Sequence, residues 1–195
     1  MRSPLQMLRR FGRDEKGTLL AETVVILPML LWAYLALFVY WDAYRAVNTS
    51  QKAAYMISDM ISREKGVLKA NYPTGLRNVM RYLIDSDREV KIRVTSIYWS
   101  VADNRFAVSW SRSPDNALPR LTTLTLQDVK KRLPKMADSD TVVLVETEVE
   151  YEPLFNIGLQ DSVLRQFIVT RPRTLPRICI IDEPNCDYTG PPVTG

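Results

Sequence analysis

The sequence predicts an α+β fold: a long N-terminal transmembrane helix packed on an antiparallel sheet of about four strands, with two short helices. Three observations predict it. The run Leu19 to Trp41 is apolar for about 23 residues and carries one charge. Beyond it, apolar residues recur at helical spacing as far as about Glu64. Farther on, three stretches alternate apolar and polar residues with the period of a strand, and a fourth reads as a last strand. With 195 residues, the chain has room for one folded domain plus extras. A content of 46% hydrophobic and 25% charged residues makes most of it globular rather than disordered.

The first segment, residues 1–17, is a basic leader. It holds five Lys/Arg against two Asp/Glu, while the remainder holds 21 against 20. The pI near 9.1 therefore belongs mainly to the leader, and the body of the chain lacks the basic field that nucleic acid requires. The next segment, residues 18–41, is the transmembrane helix. At 1.5 Å per residue its apolar run spans about 34 Å, enough to cross a bilayer core with some tilt. Tyr40 and Trp41 suit the interfacial belt at its far end. A secretory signal has an apolar region of about 7–15 residues ending at a small-residue site. This run is longer and passes into Asp42, Ala43, Tyr44 and Arg45 with no clear site. Arg9, Arg10, Arg13 and Lys16 crowd the N-terminal side, which predicts a cytoplasmic N-terminus and an extracytoplasmic domain.

That domain is expected over residues 42–173, beginning with a helical extension over 42–64. Ala43, Val47, Ala54, Ile57 and Ile61 fall on one stripe of the extension and are expected to cover a sheet or a neighbouring helix. Thr74 is placed to cap a short helix whose inner face is Leu76, Val79, Met80, Leu83 and Ile84. Val90, Ile92 and Val94 alternate with charges over Arg88–Ser100, and Ala102–Asn104 signals a turn. The hairpin partner is Arg105–Ser111, with Phe106, Val108 and Trp110 expected on one face and Trp99 paired with Trp110 across it. Thr125 and Asp128 form a candidate capping pair for a second short helix ending at Leu133. Thr141–Tyr151 is the clearest strand, with Val143, Val145, Val149 and Tyr151 on one side and Glu146, Glu148 and Glu150 on the other. A last strand runs from about Val163 to Thr170. The final segment, residues 174–195, reads as an irregular proline-rich tail.

The chain has no histidine, which removes the commonest general base and metal ligand. Without it an enzyme would need a carboxylate pair or a Ser–Lys arrangement, and no motif supplies either. No cofactor-binding or phosphate-cradling motif is present, so neither enzyme nor cofactor is expected. The Glu146/Glu148/Glu150 row reads as a solvated strand face opposite Lys91 and Arg93 rather than a cation site. Cys179 and Cys186 are the two cysteines. Outside the cytoplasm a disulfide between them would persist and staple the tail.

The remaining question is why a carboxylate, Glu22, stands inside the apolar run, where it costs a few kcal/mol on insertion scales. Gly17 precedes it by five residues, at the junction of basic leader and apolar helix. Here the sequence resembles type IV prepilin-like proteins, in which a membrane-embedded aspartyl peptidase cuts after the glycine. The resemblance narrows to TadE-like minor pseudopilins of the tight-adherence (Tad) pilus machinery. It is carried by the Gly17–Glu22 spacing, by Pro28 about a turn and a half later, and by the small polar segment past the membrane. Thr147–Phe155 and Phe167–Arg173 are similar to late strands of that family. Thr18 and Thr23 replace the larger residues of major pilins at those positions, which points to an accessory subunit.

The resemblance implies processing between Gly17 and Thr18 by a prepilin peptidase, and subunit assembly through Glu22 and the new Thr18 amine of a neighbour. An ammonium and a carboxylate attract strongly where the dielectric is low. Pro28 removes a backbone donor within the helix and is expected to kink it. The implied partners are the membrane, the peptidase, other pilus subunits and assembly-platform proteins, and not nucleic acid. The implied location is the bacterial inner membrane, crossed once, with the C-terminal domain periplasmic. The competing expectation is an unprocessed single-pass envelope protein whose outer domain binds a ligand or partner.

Overall fold

The computed structural model of the chain describes residues 16–84, 88–138, 140–155 and 157–183, with side chains from Glu22 onward. Two compact units emerge, one of Met1–Asp42 with Pro153–Leu159, the other of Ala43–Glu152 with Gln160–Gly195. In the first, helix α1 (Lys16–Ser62) runs through the whole apolar segment, Pro28 included, and continues into the second. It ends at Ser62, two residues short of expectation.

The second unit is built on a four-stranded antiparallel sheet in the order β2-β1-β3-β4. Its strands are β1 (Val90–Ser100), β2 (Arg105–Arg112), β3 (Thr141–Tyr151) and β4 (Ser162–Thr170). One face packs against α1 and helix α2 (Tyr72–Ile84). Ala53, Ile57 and Ile61 of α1 and Leu76 and Met80 of α2 join Val90, Ile92, Val94, Val143, Val145 and Val149 in a single core. Each large aliphatic side chain removed from water there contributes about 1.5–3 kcal/mol. The buried stripe of α1 is narrower in size than in chemistry, because Ser50, Ala54, Ser58 and Ser62 are buried with the isoleucines. Val47, expected on this stripe, is exposed.

Helix α2 begins with Pro73 in its first turn, where a missing N–H costs nothing. Thr74 is not its cap: the Thr74 and Gly75 N–H groups both donate to the Asn71 carbonyl, which places Thr74 inside the helix. The Tyr72 hydroxyl donates to Glu64 Oε1 at 2.7 Å. Burial first, then that hydrogen bond and the Glu64 charge, push the Tyr72 phenol above its usual range.

The other face of the sheet is covered at one end by the segment between β2 and β3. Leu121 and Leu126 pack there with Ile97, Val142 and Leu144. The second short helix is 3-10, in two turns at Thr125–Asp128 and Lys130–Arg132. The expected Thr125/Asp128 capping pair does not form; Thr125 Oγ1 instead accepts from the Thr122 N–H at 2.9 Å. This cover explains why Thr141–Val145 is buried without interruption while Glu146–Tyr151 alternates.

The β1–β2 hairpin contains a bulge. The register steps from Ser96↔Trp110 to Ile97↔Val108, so Ser109 has no opposite residue. One extra residue turns every later side chain to the other face. Phe106 and Val108 therefore lie with Ile97, whereas Trp110 enters the core under α1. The expected single face for these three is corrected accordingly. Trp99 packs edge-on against Phe106, with ring centroids 4.8 Å apart, and does not pair with Trp110.

The segment after β4 is irregular but not loosely held. Ile178 and Ile180 are buried in the core, and Ile180 forms a parallel bridge with Leu68. Leu68 N–H donates to the Cys179 carbonyl at 2.8 Å, Ile181 N–H to the Leu68 carbonyl at 2.9 Å, and Trp110 Nε1–H to the Ile178 carbonyl at 2.8 Å. Two isoleucines thus give the tail an apolar hold beyond any staple.

Candidate functional site

The most unusual surface of the molecule is α1 before Asp42. An eighteen-residue window in this helix has a mean hydropathy of 2.1, and 6% of it is buried. A core helix of a soluble protein with that composition would be covered. Here Val24, Val25, Met29, Tyr34 and Leu37 are each about two-thirds or more exposed. The helix is long and apolar enough to cross a membrane. Water would penalise such a continuous apolar surface, and lipid would not.

Lys16, Gly17 and Thr18 all lie in α1. Thr18 and Glu22 are four residues apart along the helix, a rise of about 6 Å. Glu22, Thr23, Ile26, Leu27 and Leu30 line an open groove along the helix. Among the described residues, the Glu22 carboxylate has no ion-pair or hydrogen-bond partner. A carboxylate isolated in hydrocarbon would be costly. Pro28 sits six residues on; without an N–H it frees the Val24 carbonyl inside the helix.

On the sheet several charged groups are paired. Arg93 contacts Glu146 at 2.6 Å, Arg165 contacts Glu148 at 2.9 Å, and Lys91 contacts Glu150 at 3.2 Å. Hydrogen bonding to Glu150, then the charge of Glu89, raises the Lys91 ammonium above its ordinary value. The glutamate row is a cross-strand ladder of ion pairs. Among the described residues no group of three or more acidic or cysteine side chains is placed to hold a metal. Cys179 is buried and disulfide-bonded; Cys186, the only other cysteine, lies outside the described residues.

One feature of this region escaped the sequence reading. The β3–β4 connection, Pro153–Leu159, belongs with the apolar half of α1 rather than with the strands it joins. Its signal was present in Leu154, Phe155, Ile157 and Leu159, an apolar content unusual for a loop. No protein-family model, curated protein or solved structure matches the chain.

Proposed function

We propose that the chain is a membrane-anchored minor pseudopilin that takes part in assembly of a Tad-type pilus, in the manner of TadE-like proteins. The observation that carries the reading is Glu22. It is a lone carboxylate without a described partner, at the head of an exposed apolar helix, five residues after Gly17. Cleavage after Gly17 by a prepilin peptidase would remove the basic leader and create an ammonium at Thr18. That ammonium would pair with Glu22 of a neighbouring subunit, and the pair would set the register of one helix against the next. Desolvation penalises each charge alone, which makes the correct pairing strongly preferred over slipped ones.

On this reading the N-terminus is cytoplasmic and the sheet domain periplasmic, where the Cys179 disulfide would be stable. The domain acts by association with other pilus subunits and assembly-platform proteins, and no turnover is assigned to it. The test is the mass of the mature N-terminus in membranes that contain or lack a prepilin peptidase. A peptidase-dependent start at Thr18 supports the reading. A chain that keeps its leader under both conditions sinks it in favour of an unprocessed envelope anchor.

A further inference from the structure

The β3–β4 connection is longer than its task requires. Antiparallel neighbours are joined by two to five residues in most hairpins, yet β3 ends at Tyr151 and β4 begins at Ser162. The middle of the connection, Pro153–Leu159, has four large apolar residues and no charge. It clusters with α1 before Asp42 and not with the sheet.

The contact that places it is at Gly158. This glycine has φ +79°, a conformation open to it because it lacks a Cβ, and a Cβ built there would meet Tyr40 Oη at 3.5 Å. Tyr40 and its neighbour Trp41 are both exposed, at the end of the apolar run. Tyrosine and tryptophan at that position mark the boundary between hydrocarbon and water. The loop backbone therefore lies at the depth of that boundary.

From Gly158 the chain reaches back to Phe155 in three residues, about 10 Å at most. The headgroup layer on each side of a bilayer is about 5–7 Å thick. Leu154, 68% exposed, and Phe155, 47% exposed, are thus within reach of it. The Ile157 N–H donates back to the Phe155 carbonyl at 2.9 Å. Outside the loop stand Glu152 and Asp161, acidic groups that resist deeper entry.

We infer that the loop Pro153–Leu159 is a second membrane contact, seated at the lipid–water interface with Leu154 and Phe155 against the acyl boundary. The occupant is the lipid bilayer itself, because the loop is continuous with the apolar surface of α1. Attachment would be apolar rather than electrostatic, so zwitterionic lipid suffices. This inference rests on the reading that α1 spans the bilayer.

The test is depth measurement by site-directed spin labelling of the full chain in phosphatidylcholine vesicles. Labels are placed at Leu154→Cys and Phe155→Cys, with Leu37→Cys as a site in the span and Tyr82→Cys as an aqueous site on the second unit. Cys179 is disulfide-bonded and does not compete for label. The readout is the ratio of collision with oxygen to collision with a water-soluble nickel chelate. Ratios at Leu154 and Phe155 above that of Tyr82 and below that of Leu37 support the inference. Ratios equal to that of Tyr82, with Leu37 in hydrocarbon, overturn it, leave the anchor standing and turn the loop towards a protein partner. A ratio at Leu37 equal to that of Tyr82 removes the spanning reading and this inference with it.

Discussion

Helix α1 presents two halves that invert the usual relation between polarity and burial. Before Asp42 most of its leucines, valines and aromatic residues are exposed, with Val39 the buried exception. After Thr49 the buried positions include Ser50, Ser58 and Ser62 beside Ala53, Ile57 and Ile61. The comparison teaches that apolar content alone does not decide what a helix covers. The first half is apolar around its whole circumference, which suits a solvent that is itself apolar. The second half is apolar on one stripe and small along it, which suits close approach to a sheet.

The sharpest way to break this comparison is to cut the same kind of side chain from each half. Ile57→Ala is expected to cost the second unit about 2–5 kcal/mol, since Ile57 is fully buried. Leu37→Ala, at a site 70% exposed, is expected to leave the urea midpoint of that unit unchanged. Equal losses would show that the first half is also packed against protein.

A smaller effect contrasts two ion pairs. Arg93 and Glu146 are 14% and 16% exposed, whereas Arg63 and Asp59 are 63% and 41% exposed. Arg93→Leu is expected to cost about 1–3 kcal/mol, because it strands a shielded carboxylate. Arg63→Leu is expected to change stability by less than about 1 kcal/mol. Double-mutant cycles on each pair measure both.

Alkaline pH tests the contact that ties the end of α1 to α2. The Tyr72 phenol titrates higher in the folded chain than its ordinary 10.0. The unfolded chain therefore loses this proton first, so the contribution is intact below pH about 10 and declines as pH rises beyond it. Lys91 is also shifted upward and acts in the same direction. Stability should fall above pH about 10, and Tyr72→Phe should make that fall shallower. A slope unaltered by the substitution would remove Tyr72 as a cause.

The smallest change is a gain. Ser58 Oγ is buried without a hydrogen-bond partner. Ser58→Ala removes that group and improves helix propensity, for an expected gain of about 0.5–1 kcal/mol in the same urea titration. A loss would mean that the hydroxyl is satisfied in solution.

The alternation in Val90–Val94 and in Val143–Tyr151 was legible because each residue has one face to choose, and period two announces it. The apolar span and Glu22 were legible for a similar reason, as one charge against a uniform background. Trp110 was misassigned because a bulge adds a residue without altering composition; nothing in RFAVSWS marks Ser109 as the unpaired one. Ile178 and Ile180 were hidden among prolines, where two apolar residues make no periodic pattern. Thr125 resembled a cap, but its segment is short and is shaped by Leu126 and Leu121 entering the core. Loop residues 153–159 showed their apolarity, yet only their place beside Tyr40 gives it meaning.

The hold on Ile178–Ile180 bears on the order of events during biosynthesis. Trp110 finds the acceptor for its indole N–H 68 positions later in the chain. Leu68 waits still longer for its bridge to Ile180. Closure of the core thus waits until residues 178–180 have been made. A ribosome that stalls before Ile178 would release a sheet with an open seam and a buried tryptophan lacking its acceptor. Such a product would expose the seam to proteases.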